Sequence, residues 1–357
     1  MRAIVAPEPA SWVADAIASH DGPVWLFAPY DLSRLGLFAA ALPAAIRQRI
    51  ERFSTHGGPR VHVRSTPLWH AAIAASRLWE RGRTDRQLAA RFAFRAATDA
   101  VAGELLPRGV TEVLAPSSAA RRVFAQAAKV APDAARTWIQ DLPVLDALHE
   151  DLDRAVEAHP ESAFLRRYRA SHSAVARQRA EWTLATRALA RGPYAARALV
   201  EHGCKTPVTI ASTRVSAEKP RPIARQGSIT LLLAGFAAAR NGSHEALAVL
   251  DATPEATLLV RRGEGSEPRA LFEHRRVRES TERERATLDG VDIVLAPAVC
   301  EGYAPEVHRA IERGVRVIAT TRGLGAIDAS NHGSLVSLVA PLDTRALIEC
   351  VRAVREG

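Results

Sequence analysis

At 357 residues the chain is too long for one core and about right for two domains of roughly 150–200 residues each. Hydrophobic residues make up 47% and charged residues 24%, a globular composition that excludes a largely disordered protein. The net charge of +9, carried by arginine except at Lys129, Lys205 and Lys219, points to an anionic partner: nucleic acid, a membrane surface or a small molecule such as a nucleotide sugar.

No dense basic stretch interleaved with aromatics, zinc-finger spacing or RNA-recognition signature accompanies that charge, which argues against nucleic acid. Cys204, Cys300 and Cys350 are far apart and odd in number. They fit neither a disulfide framework nor a metal knuckle, and imply a reducing, cytoplasmic compartment. Residues 1–9 lack a charged leader and apolar core, and the longest apolar run, 35–46, is broken by Pro43. Neither a signal peptide nor a span of about 20 apolar residues is expected, so any membrane contact would be peripheral, at the inner face.

Short apolar, β-branched runs alternate with Ala/Leu/Arg stretches of helical period, the pattern of parallel sheets with crossover helices. In chain order the predicted strands of the first half are 2–6, 24–28, 60–63, 112–115 and 137–139. Residues 143–190 read as helical, with a charged face and a Leu/Val/Ala face, and a strand at 207–211 closes the first lobe. Residues 216–227, SAEKPRPIARQG, carry Pro220 and Pro222 without any period and read as a linker. The pattern then restarts, with strands predicted at 229–234, 257–260, 291–296, 315–319 and 335–339. The expected fold is α/β: two Rossmann-like, doubly wound domains, 1–215 and 228–357, with an interdomain cleft at the strands' carboxyl ends where such sheets bind ligands. The last helix is a candidate to pack back on the first domain.

The most informative stretch is 291–321, VDIVLAPAVCEGYAPEVHRAIERGVRVIATT. It resembles the donor-binding segment of family-four retaining glycosyltransferases, commonly written a-D-v-x-v-x-P-S-x-x-E-G-x-G and followed by a helix ending x-x-G-x-P-V-I-A. Asp292, Pro297, Glu301, Gly302, Gly314, Val317, Ile318 and Ala319 match without a gap. Upstream, LLLAGFAAARNG at 231–242 resembles the family's v-G-R-L-x-x-x-K-G stretch through Gly235 and Gly242. The resemblance implies the GT-B architecture, with the second domain holding the nucleotide sugar and the first facing the acceptor. On it, Glu301 would bind the donor sugar, with Asp141 on the acceptor side as the other catalytic candidate. Gly235, Arg240, Arg262, Gly302, Tyr303 and Arg309 form the donor-binding set. No cofactor beyond the donor substrate is implied, and His62, His70, His149 and His308 show no metal spacing.

Departures from the pattern bear on chemistry. The family's second glutamate, eight residues after Glu301, is Arg309 here, and a guanidinium cannot accept the ribose hydroxyls. Arg309 has a structural alternative, pairing with Glu301 or Glu306. The family's diphosphate-clamping arginine and lysine align with Phe236 and Asn241, with Arg240 one position away. Its glycine-rich first loop aligns with APEPAS at 6–11, where prolines remove amide donors. Two readings follow. One is a metal-independent hexosyltransferase that uses a nucleotide sugar and a cell-surface glycan or lipid-linked acceptor, with the basic surface docking at an anionic membrane. The other is a glycosyltransferase-like scaffold that has lost catalysis.

Overall fold

The computed structural model describes residues 1–7, 11–28, 60–64, 84–140, 143–211, 215–222, 227–263, 268–300 and 305–356. These residues form two sheets, each the centre of its own compact unit.

The first sheet contains β1 (Arg2–Val5), β2 (Val24–Phe27), β3 (Val61–Arg64), β4 (Glu112–Pro116), β5 (Ala135–Gln140), β6 (Arg187–Ala190) and β7 (Val208–Ile210), in the order β3-β2-β1-β4-β5-β6-β7. The pairs from β3 through β6 are all parallel, with registers such as Ile4 opposite Leu26 and Leu114. Ile4, Leu26, Val113 and Ile139 are buried, as expected of parallel strands covered on both faces. β6 falls inside the stretch that reads as helix. Its sequence, RALA, favours helix by propensity, but Ala188 and Ala190 are buried in the sheet beside β5, and that packing overrides propensity.

The second sheet contains β8 (Ile229–Leu233), β9 (Ala256–Val260), β10 (Val277–Glu279), β11 (Ile293–Ala296), β12 (Arg316–Thr320) and β13 (Val336–Val339), in the order β10-β9-β8-β11-β12-β13, every pair parallel. β10 is the strand the sequence pattern did not reveal: three residues, VRE, at the sheet edge with only Val277 partly buried. Two apolar layers cover this sheet. Leu232, Val294, Val317 and Ile311 lie on one face, and Leu231, Leu295, Val249 and Leu258 on the other. The helix Thr344–Glu356 buries Leu347 and Val351 in the second layer.

Contacts group residues 142–169 and 191–202 with this second sheet, although they precede the linker in the chain. Their helix Leu145–Ala158 and the 3-10 segment Pro160–Tyr168 bury Leu152, Val156 and Leu165 against Ala239, Val299 and Cys300. The linker, in its described part, is docked on the same unit. Arg221 N donates to the Gly314 carbonyl at 2.7 Å, Arg316 Nη1 donates to the Arg221 carbonyl at 3.1 Å, and Val215 packs on the core.

Candidate functional site

Strand order fixes where a ligand site belongs. In the second sheet the chain winds outward from β8 through β9 to β10, returns to β11 beside β8, and winds outward again through β12 to β13. β8 and β11 are the neighbours at which the winding reverses, and open parallel sheets bind ligands outside the carboxyl ends of such a pair. The loop after β8, residues 234–242, leads into the helix Ser243–Ala252. After β11 the described loop residues are 297–300, and the helix Pro305–Glu312 follows.

A buried ion pair braces the end of β8. Arg285 and Glu306 have side chains only 2% and 3% exposed. Arg285 Nε and Nη2 donate to Glu306 Oε1 at 3.0 and 2.7 Å, and the guanidinium also reaches the carbonyls of Leu233 and Gly235 at 3.4 and 2.9 Å. Glu306 Oε2 accepts from the Gly235 amide at 3.4 Å. Both charges are therefore satisfied, and part of what satisfies them is the backbone where the strand becomes the loop, which fixes the loop's exit direction.

The two loops are laced together. Val299 and Cys300 amides donate to the Arg240 carbonyl at 3.0 and 3.2 Å, and within the first loop Asn241 Nδ2 donates to the Phe236 carbonyl at 2.8 Å. The Val299 and Cys300 amides are thus already used. Gly242 is left-handed (φ 81°), and a Cβ there would lie 2.2 Å from the Pro297 carbonyl, so only glycine lets the helix start against the second loop. Being glycine, this residue gives the first turn of Ser243–Ala252 no side-chain cap. First-turn amides plus the helix dipole are a common receptor for a phosphate. A third tie comes from the end of β12: Thr320 Oγ1 donates to the Ala298 carbonyl at 2.6 Å, while just beyond the strand Arg322 makes a two-pronged bond to buried Asp151 at 2.9 and 2.8 Å, which Tyr194 also donates to.

Of the residues singled out from the sequence, Asp141, Glu301, Gly302 and Tyr303 lie outside the described residues. Gly235 contributes backbone, bonded to Arg285 and Glu306. Arg240 has its guanidinium 5.0 Å from the Tyr168 ring centre. Arg262 stacks on Phe272 at 4.2 Å, and its neighbour Arg261 on Phe236 at 4.4 Å. Arg276 reaches the Ala256 carbonyl at 3.2 Å. Arg309 donates to the Arg285 carbonyl at 3.3 Å, while Glu306 pairs with Arg285 rather than with Arg309. Phe236 is 42% exposed, with its ring against Gly263. Asp292 is at the opposite end of β11, where its carboxylate accepts from Thr230 N at 2.8 Å and aligns β11 with β8.

The first sheet reverses its winding between β1 and β4. The loop after β4 carries Ser118 at φ 71° and leads to the helix Arg121–Val130. Here internal carboxylates fill the backbone donors. Asp99 accepts from the amides of Arg122 and Val123, at 2.9 Å each by the shorter contacts. Glu181 accepts from Ser118 N at 2.7 Å, Ala120 N at 3.2 Å and Trp138 Nε1 at 3.2 Å. Arg177 bridges the two acids. One cation faces two buried carboxylates, so burial pushes Glu181 up to about 7 against the pull of Arg177 and the two amides, with Asp99 adding to the rise. Burial raises Asp99 likewise, opposed by the Arg122 and Val123 amides.

Sequence reasoning missed Arg285, Asp99, Glu181 and the Asp151–Arg322 pair. It also gave no sign that His159, Glu161 and His244 converge, although their potential ligand atoms lie within 4.8 Å of one another. Among the described residues no helix is long and apolar enough to cross a membrane.

No protein-family model and no curated protein matches the sequence. Solved structures match it along its length. The lipopolysaccharide outer core galactosyltransferase WaaB aligns over 100% of this chain and 91% of its own, with TM-score 0.56 and 11% identity. HepE from Anabaena, solved in complex with UDP-glucose, aligns over 99% and 89%, with TM-score 0.50 and 14% identity. An alpha,alpha-trehalose-phosphate synthase (UDP-forming) from Burkholderia vietnamiensis aligns over 100% and 94%, with TM-score 0.51 and 12% identity. At such identities the likeness is one of fold, and the fold of this chain, two doubly wound parallel sheets in succession, is that of the GT-B glycosyltransferases.

Proposed function

We propose that the chain is a glycosyltransferase of the family-four kind that moves a hexose from a nucleotide sugar to a cell-surface glycan or glycoconjugate, without a metal in the transfer step. The observation that carries this reading is the start of the helix Ser243–Ala252. It begins at the winding reversal of the second sheet, against the loop after β11, with no side chain of Gly242 to cap it and with Arg240 two residues upstream. A departing nucleoside diphosphate needs positive potential that is in place before the bond breaks, and helix amides with a guanidinium supply it. Glu301, matched by sequence, would orient the sugar hydroxyls. The similar HepE structure, which holds UDP-glucose, is consistent with this ligand class.

The scaffold reading is favoured by one set of contacts. Asn241 at the family's lysine position holds the Phe236 carbonyl, and Arg309 at the glutamate position holds the Arg285 carbonyl, so both altered residues have structural work. Calorimetry of the full-length protein against UDP, GDP, dTDP and CMP sugars separates the two. A transferase binds one donor, with affinity about tenfold weaker in Arg240→Ala, equivalent to about 1.4 kcal/mol, and abolished in Glu301→Ala. Silence across the panel, together with a stable protein partner, would leave the scaffold reading standing.

A further inference from the structure

The helix Leu145–Ala158 ends at His159; Glu161 and Ser162 open the 3-10 segment that follows; His244 and Glu245 lie in the first turn of Ser243–Ala252. These five side chains meet. His244 Nδ1 and His159 Nδ1 lie 3.5 and 3.8 Å from the same Glu161 oxygen. Those separations are long for hydrogen bonds. They are close to the edge of a zinc coordination tetrahedron, about 3.3 Å for ligands bound at about 2.0–2.1 Å.

The far side of each ring is held. His159 Nε2 is 2.8 Å from Glu245 Oε1, and His244 Nε2 is 2.9 Å from Ser162 Oγ. Metal-bound histidines are oriented in the same way, the nitrogen that does not bind the ion being given to a carboxylate or another polar group. Glu245 is buried, and its Oε2 has no hydrogen-bond partner among the described residues, so the carboxylate behind His159 keeps uncompensated negative charge. We propose that His159, Glu161 and His244 form a site for one divalent cation of the zinc class, bound through the two Nδ1 atoms and the Glu161 carboxylate.

Glu161 is 60% exposed and forms the entrance, while the two rings are largely covered. The rings are stacked, 4.2 Å between centres and 9° between planes, so their Nδ1 lone pairs run side by side. Closing on one ion requires them to fan apart by rotation about χ2, a reorganisation that makes the site weaker than a preformed one. The bound ion clips the turn at 159–162 to the first turn of the helix that follows the β8 loop. Its part is structural, and the site stands whether or not the chain transfers sugar.

The test is titration of ZnCl2 into chelator-stripped, full-length protein against a chromophoric chelator, with thermal melting alongside. One equivalent is expected to bind with micromolar affinity and raise the melting temperature. Glu161→Gln, at an exposed position that does not threaten folding, and His244→Gln should each weaken binding at least about tenfold, while His308→Gln leaves it unchanged. Histidine nitrogen NMR should show Nδ1 of His159 and His244 shifting on saturation. No binding tighter than about 1 mM, or binding that survives both Glu161→Gln and His244→Gln, overturns the site.

Discussion

The helix that follows β4 has its first amides bonded to Asp99, and the loop before it is bonded to Glu181. The helix that follows β8 starts at a glycine, and the buried charges nearby, Arg285 and Glu306, grip the backbone at the strand's end instead. Each sheet thus has a winding reversal with a helix start beside it, where an anion is welcome. In the first unit the protein supplies that anion itself, at an effective concentration no free ligand matches. In the second, Glu306 is spent on shaping the loop, and Glu245, in the helix's own first turn, is held by His159. The same topology therefore yields a sealed structural joint in one unit and a candidate receptor in the other.

The largest expected effect comes from breaking the second unit's brace. Arg285→Met strands the Glu306 carboxylate in the core and should cost about 3–5 kcal/mol, read as a lower denaturant midpoint. Because the loop after β8 loses its anchor, nucleotide affinity should fall with it. Adding Glu306→Leu to Arg285→Met removes the stranded charge and should recover much of the stability but not the binding. Asp99→Ala opens the sealed joint of the first unit. It leaves the Arg122 and Val123 amides without their acceptor and should cost about 1–3 kcal/mol, with nucleotide affinity measured by calorimetry unchanged. Loss of binding in Asp99→Ala would collapse the distinction between the units.

The joint also has a pH signature. Glu181 is raised in the folded state to about 7 from an ordinary value of 4.5, so the fold holds a proton that the unfolded chain has released between those values. Its contribution is fully present below about 4.5 and is lost as pH rises through about 7, at no more than about 1.4 kcal/mol per pH unit. Melting curves from pH 5 to 8 should fall more steeply for the wild type than for Glu181→Gln, which has nothing to ionise. Parallel slopes would remove Glu181 as the titrating group.

How much of this was legible in the sequence divides along the range of the interactions. β8, β11 and β12 are readable because a buried parallel strand writes itself as a run of Val, Ile and Leu, whereas Gly235 and Gly242 stand out only through the resemblance to the family's v-G-R-L-x-x-x-K-G stretch. β6 does not show in the period, because RALA carries helix propensity and becomes a strand only through neighbours far along the chain; the resemblance of residues 181–218 to the family's last first-domain stretch, a strand leading to a helix that ends at Gly203, is the one sign of it. The carboxylates that seal the first joint are 82 residues apart at Asp99 and Glu181, and Asp151 finds Arg322 across 171 positions. No local period encodes such pairs. Glu306 stands out only as a partner for Arg309, and nothing in the sequence distinguished Arg285 as its actual partner from the many other arginines. His159 and His244 were obscured in the same way, since neither has a second histidine at ligand spacing along its own helix.

Arg309 provides the smallest and most discriminating expected effect. It stands where the resembling family keeps a ribose-binding glutamate, yet its guanidinium is half-buried and donates to the Arg285 carbonyl at 3.3 Å. A single long bond to a carbonyl contributes at most about 0.5–1 kcal/mol, so Arg309→Gln, which can still donate, should shift the melting temperature only slightly. If the residue only supports the backbone behind Arg285, nucleotide affinity should change less than about twofold. A tenfold loss, about 1.4 kcal/mol, would mean that the guanidinium leaves that carbonyl for the ligand. The substitution would then be a changed means of holding the nucleotide. Arg309→Glu separates the cases further: restoring the family's acceptor should strengthen binding if the ribose still lies within reach, and should only repel the nearby Glu306 if it does not.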